Sequence, residues 1–352
     1  MSNPQVSPVT ALAIHREGCV HLHDRRVRLA VAKFEEALRR GLDPSFGLHE
    51  RWTAWMLLGH FERAWQETDR IECQRRRGVP VEGQLIWNGA DFEEKAVLLR
   101  SLHGLGDALQ FIRYARLLKA RCRRLTFKGK PILLPLMQTL GPIDEAIPLS
   151  APDPRFDVEM ECTELPYVFR TTLHTIPYDM PYIRVSGRDG LPCAEGRAMR
   201  VGLVWTAGPW NKARSLALAD LSPLRTVPNV TFYSLQWGAD WIAAQRAHHG
   251  LPIHNVTRPI PEDLLYTAHT IAHLDLVITV DTMVAHLAGA MGKPVWILLP
   301  YDCDWRWLAG TETSPWYPTV TLFRQVLRGD WSHPVSRVTE ALQRHSLVTV
   351  TT

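Results

Sequence analysis

Two stretches of the sequence carry residues whose types and spacing could do chemistry. The first is Asp281-Thr282-Met283-Val284-Ala285-His286, set between the apolar runs 274–280 and 295–300. Both runs are short and rich in β-branched residues, as strands buried on both faces of a parallel sheet must be. The text between them reads as a helix: Asp281 or Thr282 can cap its start, and Gly292 before Pro294 stops it. A helix start at the carboxyl edge of such a sheet presents N–H groups without intrahelical partners, and a phosphate is the guest that suits them. His286 lies one turn in, and a core histidine is its plainer use. The second stretch is the loop Ser101-Leu102-His103-Gly104-Leu105-Gly106-Asp107, which comes after the short buried run 96–100 and leads into an amphipathic helix over 108–121. Gly104 and Gly106 let backbone approach a ligand. Asp107, where loop meets helix, fits a structural cap or a ligand-facing carboxylate. Lys212, Arg214 and Ser215 lie in a loop after the run 199–205, at a strand's carboxyl end in the same half as the phosphate helix. Arg214 could grip phosphate oxygens in a fork, whereas Lys212 also fits a solvated loop charge.

The elements needed to position these groups are visible around them. Residues 11–77 read as helices only, with a break at Gly41-Leu42-Asp43-Pro44. Ala30, Phe34 and Ala37 fall at the small–large–small positions of a tetratricopeptide repeat, and Ala64 comes after Ala30 by 64 − 30 = 34 residues, the period of that repeat. One and a half to two such repeats cannot stand alone, so they should pack on the α/β part of the chain; an unrelated helical hairpin is the alternative. A linker-like stretch, 81–91, comes next. Strand candidates then fall at 96–100, 125–127, 146–149 and 156–160, and a proline-rich exit at 175–182. A second α/β half has strands expected at 199–205, 230–235, 254–256, 274–280 and 295–300, with helices at 221–227, 267–273 and 335–345. Gln236 sits at the carboxyl end of the second of these strands. After Pro300, Asp302 and Asp304 stand beside Trp305 and Trp307, a pairing that suits sugar contacts or the packing of a closing segment. The expected division is a helical segment over 1–80, an α/β half over 81–190 and a second over 191–352.

Composition bounds the rest. A chain of 352 residues is long for one core, and 46% hydrophobic content can fill two or three. Forty Lys and Arg against 36 Asp and Glu give +4, which gives no reason to expect a nucleic-acid partner. No apolar run approaches the roughly 18 residues of a membrane span, and the first ten residues lack a leader pattern, so a cytoplasmic protein is expected. Six cysteines at 19, 73, 122, 162, 193 and 303 form no C-x-x-C pair, which argues against a zinc site or a disulfide framework.

Taken together, Val201 to Trp205 with Gly208 and Arg214-Ser215, Asp281-Thr282 with His286-Leu287-Ala288, Gly292-Lys293-Pro294, and Leu102 to Asp107 resemble the bacterial lipopolysaccharide heptosyltransferase-like glycosyltransferases. Proteins that join tetratricopeptide repeats to such a domain are most similar, down to the stretch 299–307. The resemblance covers about residues 95–330. It implies a GT-B-like pair of Rossmann-type domains and inverting transfer of a sugar, heptose-type first, from a nucleotide-diphosphate donor to a hydroxyl of a glycan or protein. It implies no bound metal and no cofactor beyond the donor itself. It places the base on Asp107, in the acceptor-side half, and the donor diphosphate near Lys212, Arg214, Ser215, Asp281, Thr282, Met283 and His286. Gly104, Gly106, Gln236, Asp302 and Asp304 are candidate nucleotide or sugar contacts. The chain departs from the heptosyltransferases at Leu299-Pro300-Tyr301-Asp302, where they carry glycine–proline–threonine, and in its basic loop. A protein partner of the helical segment is a further expectation. The competing reading is a non-catalytic interaction protein whose α/β halves have lost activity.

Overall fold

The computed structural model describes residues 8–76, 85–185, 198–208, 211–238, 250–256 and 264–349. Cys193, the expected boundary at 190–191, residues 81–84 of the linker and Pro209-Trp210 of the basic loop lie outside them. The chain forms two compact units: Met1–Ile86 with Pro166–Ile176 and Asp304–Trp316, and Trp87–Leu165 with Pro177–Cys303 and Tyr317–Thr352.

The first unit is built on four helices, α1 (Pro8–His23), α2 (Val27–Arg39), α3 (Leu48–Leu57) and α4 (Phe61–Arg76). Ala30, Phe34 and Ala37 recur at helical spacing and are buried. Gly18 of α1 lets the helices close: a Cβ there would sit 2.5 Å from the Phe34 ring. The aromatic face that two helix pairs leave uncovered is closed by the two later segments. Trp305 meets Trp52 edge-on at 5.6 Å, Trp316 stacks on Phe61 at 5.8 Å, and the Trp65 indole donates to the Thr171 carbonyl at 2.7 Å. Asp69 of α4 accepts from the Tyr167 hydroxyl and the Arg170 guanidinium.

The second unit holds two all-parallel sheets. Strands β1 (Ala96–Arg100), β2 (Arg124–Gly129), β3 (Glu145–Pro148) and β4 (Val158–Glu161) lie in the order β3-β2-β1-β4. Strands β5 (Met199–Val204), β6 (Val230–Ser234), β7 (Ile253–Asn255), β8 (Leu276–Val280), β9 (Val295–Leu299) and β10 (Val320–Arg324) lie in the order β10-β9-β8-β5-β6-β7. Parallel strands need crossovers, and both faces are then covered, so inner strands are largely buried; β8 is buried at every residue. In each sheet the order reverses once, beside β1 in the first and between β5 and β8 in the second. At such a reversal two successive loops part at the carboxyl edge and leave a crevice. Both chemistry-bearing stretches sit there: the loop 101–107 comes after β1, and Asp281-Thr282 after β8.

Three expectations are corrected. The helix expected at 221–227 is a 3-10 run, Leu218–Thr226, because Pro223 lies inside it and cannot donate to an α-helical ladder. The single helix expected over 108–121 is Leu105–Phe111, a 3-10 turn at Ile112–Tyr114, and Ala115–Lys119. β10 was not expected; it pairs with β9 from Val320↔Val295 to Arg324↔Leu299.

Candidate active site

The helix Met283–Ala290 begins at Thr282, which has extended backbone, φ −140° and ψ 174°, but makes no side-chain cap. Its hydroxyl is taken by Thr279, 3.2 Å away. Thr282 therefore gives the first turn of this helix, at the β5–β8 crevice, no side-chain cap. At the other end Gly292, φ +69°, adopts the left-handed turn that ends the helix, with Gly292 and Lys293 donating to the Gly289 and Ala288 carbonyls at 2.9 and 3.0 Å.

Around this start the fold gathers Arg214, Asp281 and His286. Arg214, on the 3-10 turn Lys212–Arg214, donates through Nη1 to the Asp281 carbonyl at 2.9 Å and stands 3.5 Å from its carboxylate. His286 Nε2 lies 3.9 Å from Asp281 Oδ1, beyond hydrogen-bond range, and Nδ1 is 3.0 Å from the Tyr317 hydroxyl. Asp281 and His286 are 5% and 6% exposed. The arrangement pairs a guanidinium with an imidazole beside a helix start, a combination that stabilises an anion in three ways at once.

The loop 101–107 is brought to the same place. Gly104 caps the helix Leu105–Phe111, and Asp107 at its third position accepts the Gly104 N–H through Oδ2 at 2.8 Å. Asp107 is half-buried. One residue before it, Gly106 touches the helix Met283–Ala290: a Cβ at 106 would lie 2.7 Å from His286 Cδ2 and 3.4 Å from Nε2, so only glycine leaves the imidazole where it is. Glu161, at the end of β4, accepts the Leu102 N–H at 3.1 Å and fixes the loop from the opposite side of the switch point.

The remaining expected residues hold the surroundings or lie apart. Ser215 accepts the Ala207 N–H through Oγ at 2.9 Å. Gln236 accepts the Trp205 and Thr206 N–H groups at 3.1 and 3.0 Å. Both fasten the loop that carries Arg214. Lys212 is exposed and Met283 half-buried. Asp302 pairs with Arg328. Asp304, in the helical unit, caps the 3-10 turn Trp305–Trp307 and pairs with Arg306 at 2.8 Å. Sequence reasoning missed Tyr317, Arg113 and Tyr182, which back His286. The signal for Arg113 was an arginine inside the apolar run Leu109 to Tyr114, whose two neighbours Ile112 and Tyr114 are buried like it. Among the described residues no three His, Cys, Asp or Glu side chains converge as a metal site requires.

No family model matches the sequence. Protein FlbA of Caulobacter vibrioides is 25% identical over 96% of this chain and 62% of its own length, so the chain spans about three fifths of that relative. Among solved structures the chain is similar to the glycosyl transferase family 9 protein of Veillonella parvula DSM 2008, at 13% identity and TM-score 0.48 over 73% of this chain and 99% of that one. It is similar to the E. coli ADP-heptose lipopolysaccharide heptosyltransferase II at 15% and 0.49, over 71% and 99%. It is also similar to TibC from enterotoxigenic E. coli H10407, an iron-containing dodecameric glycosyltransferase, at 13% and 0.48, over 74% and 76%.

Proposed function

We propose that this protein is an inverting glycosyltransferase that takes a sugar from a nucleotide-diphosphate donor, heptose-type first, to a hydroxyl of a glycan or protein. The observation that carries the reading is the meeting of Gly106 and His286, which brings the helix carrying Asp107 against the helix that begins after Thr282. The diphosphate lies on the first turn of Met283–Ala290. Backbone N–H groups, Arg214 and His286 neutralise the charge that builds as the anomeric carbon–oxygen bond breaks and the nucleotide diphosphate leaves with its electron pair. In this reading the reaction does not depend on a metal ion for that task. Asp107 takes the acceptor hydroxyl proton as that oxygen attacks the anomeric carbon from the opposite face. Its bond from the Gly104 N–H aims the carboxylate.

A thermal-shift series with ADP, UDP, GDP and TDP tests the binding half, because a ligand held only by the folded state raises Tm. ADP is expected to give the largest rise. No rise with any of the four, together with no hydrolysis of an ADP-sugar in the absence of acceptor, would leave the non-catalytic reading standing.

A further inference from the structure

Behind His286 lies a buried chain of polar groups that runs from the donor-side helix into the acceptor-side half. His286 Nδ1 is 3.0 Å from the Tyr317 hydroxyl. Tyr317 is fully buried and its hydroxyl hydrogen-bonds both Arg113 and Tyr182. Arg113, also buried, has its guanidinium 4.7 Å from the Tyr317 ring centre and 4.9 Å from that of Tyr182, and donates to the Gln110 carbonyl at 2.8 Å and the Tyr182 hydroxyl at 3.2 Å. Tyr182 in turn donates to the Leu109 carbonyl at 2.8 Å.

The direction of these bonds is set by which groups can only give. A guanidinium has no acceptor, so Arg113 donates wherever it bonds. The single hydroxyl hydrogen of Tyr182 is spent on the Leu109 carbonyl, so its oxygen accepts. Tyr317 keeps its hydrogen, because burial pushes its hydroxyl well above the ordinary range even with Arg113 beside it. Its oxygen takes a bond from Arg113, which polarises the O–H and makes it a better donor. That hydrogen has two takers, the Tyr182 oxygen and His286 Nδ1. The Tyr182 oxygen already receives Arg113, and an imidazole nitrogen is the stronger base.

We propose that Tyr317, with Arg113 behind it, is a positioning residue that fixes His286 as the tautomer with Nδ1 bare and the proton on Nε2. The nitrogen on the Gly106 and Asp281 side of the ring then carries a hydrogen at neutral charge. Resting on the glycosyltransferase reading above, His286 meets the donor diphosphate as a ready-made N–H donor and needs no protonation to do so.

The experiment is nitrogen NMR of the full chain labelled at histidine nitrogens, at a pH where imidazole is neutral, with His286 assigned by loss of its signals in His286→Gln. The expected result is an unprotonated Nδ1 and a protonated Nε2, shifting toward the other tautomer in Tyr317→Phe. A protonated Nδ1 in the parent protein overturns the proposal, as does a Tyr317→Phe protein whose tautomer is unchanged. The parent measurement stands even if the Phe variant fails to fold. In the same samples Tyr317→Phe should weaken ADP binding about fivefold, the loss of roughly one hydrogen bond's bias. Absence of ADP binding by the parent, with the Nε2–H tautomer present, would count against the glycosyltransferase reading and leave the role of Tyr317 intact.

Discussion

The two helix starts that meet at Gly106 and His286 come after the same kind of strand and end in opposite electrostatic states. The helix Leu105–Phe111 carries its own carboxylate: Asp107 bonds the Gly104 N–H and fills the positive end of the helix with negative charge. Thr282 gives the helix Met283–Ala290 no side-chain cap, its hydroxyl meets that of Thr279, and the nearby Asp281 is faced by Arg214. One start carries a carboxylate bonded to its own backbone; the other has a guanidinium and an imidazole beside it. Under the proposed function, two copies of one supersecondary unit would divide the work of a transfer reaction, acceptor deprotonation on one and leaving-group stabilisation on the other.

That division can be broken at either helix. Asp107→Asn keeps most of the capping but removes the basic carboxylate, so turnover should fall about a hundredfold while Tm and donor affinity stay near the parent values. Steady-state transfer assays at saturating donor check this, and transfer at close to the parental rate would make Asp107 a cap and nothing more. Thr282→Asp makes the second helix resemble the first. It should raise Tm slightly by capping the open turn and weaken ADP binding by more than about tenfold through repulsion. A variant that gains stability without losing ADP affinity would remove the helix start from the donor site.

A smaller effect sharpens the comparison from below. The strands β5 and β8, whose carboxyl ends flank the start of Met283–Ala290, are tied at their amino ends by Arg200 and Asp275, 2.9 Å apart. Burial pulls the Asp275 carboxyl upward, but the bonds from the Arg200 side chain and backbone outweigh it, and its pKa is held below the ordinary value. A depressed carboxylate contributes stability that is fully present above the unfolded pKa of about 3.9 and is lost as pH falls through the folded value. Asp275→Asn should therefore flatten the acid limb of a Tm–pH curve below about pH 4, by less than about 1 kcal/mol because the pair is part-exposed. An unchanged acid limb would show that the pair adds nothing.

Much of this was legible in the sequence because buried parallel strands and helix stops leave local marks. The runs around 276–280 and 295–299 and the Gly292 stop needed no tertiary information, and both chemistry-bearing loops were found from glycine, aspartate and histidine at strand ends. β10 was hidden because Val-Thr-Leu-Phe-Arg at 320–324 is short and stands alone between an aromatic stretch and the closing helix. Asp304 and Trp305 suit sugar contact or the packing of a closing segment because charge and aromatic adjoin there; Trp305 packs on Trp52 and Phe61, some 250 positions away, a partnership no local pattern reveals. Ser215 and Gln236 do lie at the loop near Arg214, but their bonds go to its backbone. The Arg113, Tyr182 and Tyr317 group joins three distant segments and leaves only one local trace, the arginine in an apolar helix.

The central claim, that a nucleotide diphosphate is held at the start of Met283–Ala290, is tested most directly by calorimetric titration of ADP into the parent protein and into His286→Ala side by side. Loss of one charge-assisted bond, roughly 1.5 kcal/mol, predicts about tenfold weaker binding with unchanged stoichiometry and a Tm close to the parent's. Equal affinity for ADP in the two proteins would place the nucleotide elsewhere and contradict the account.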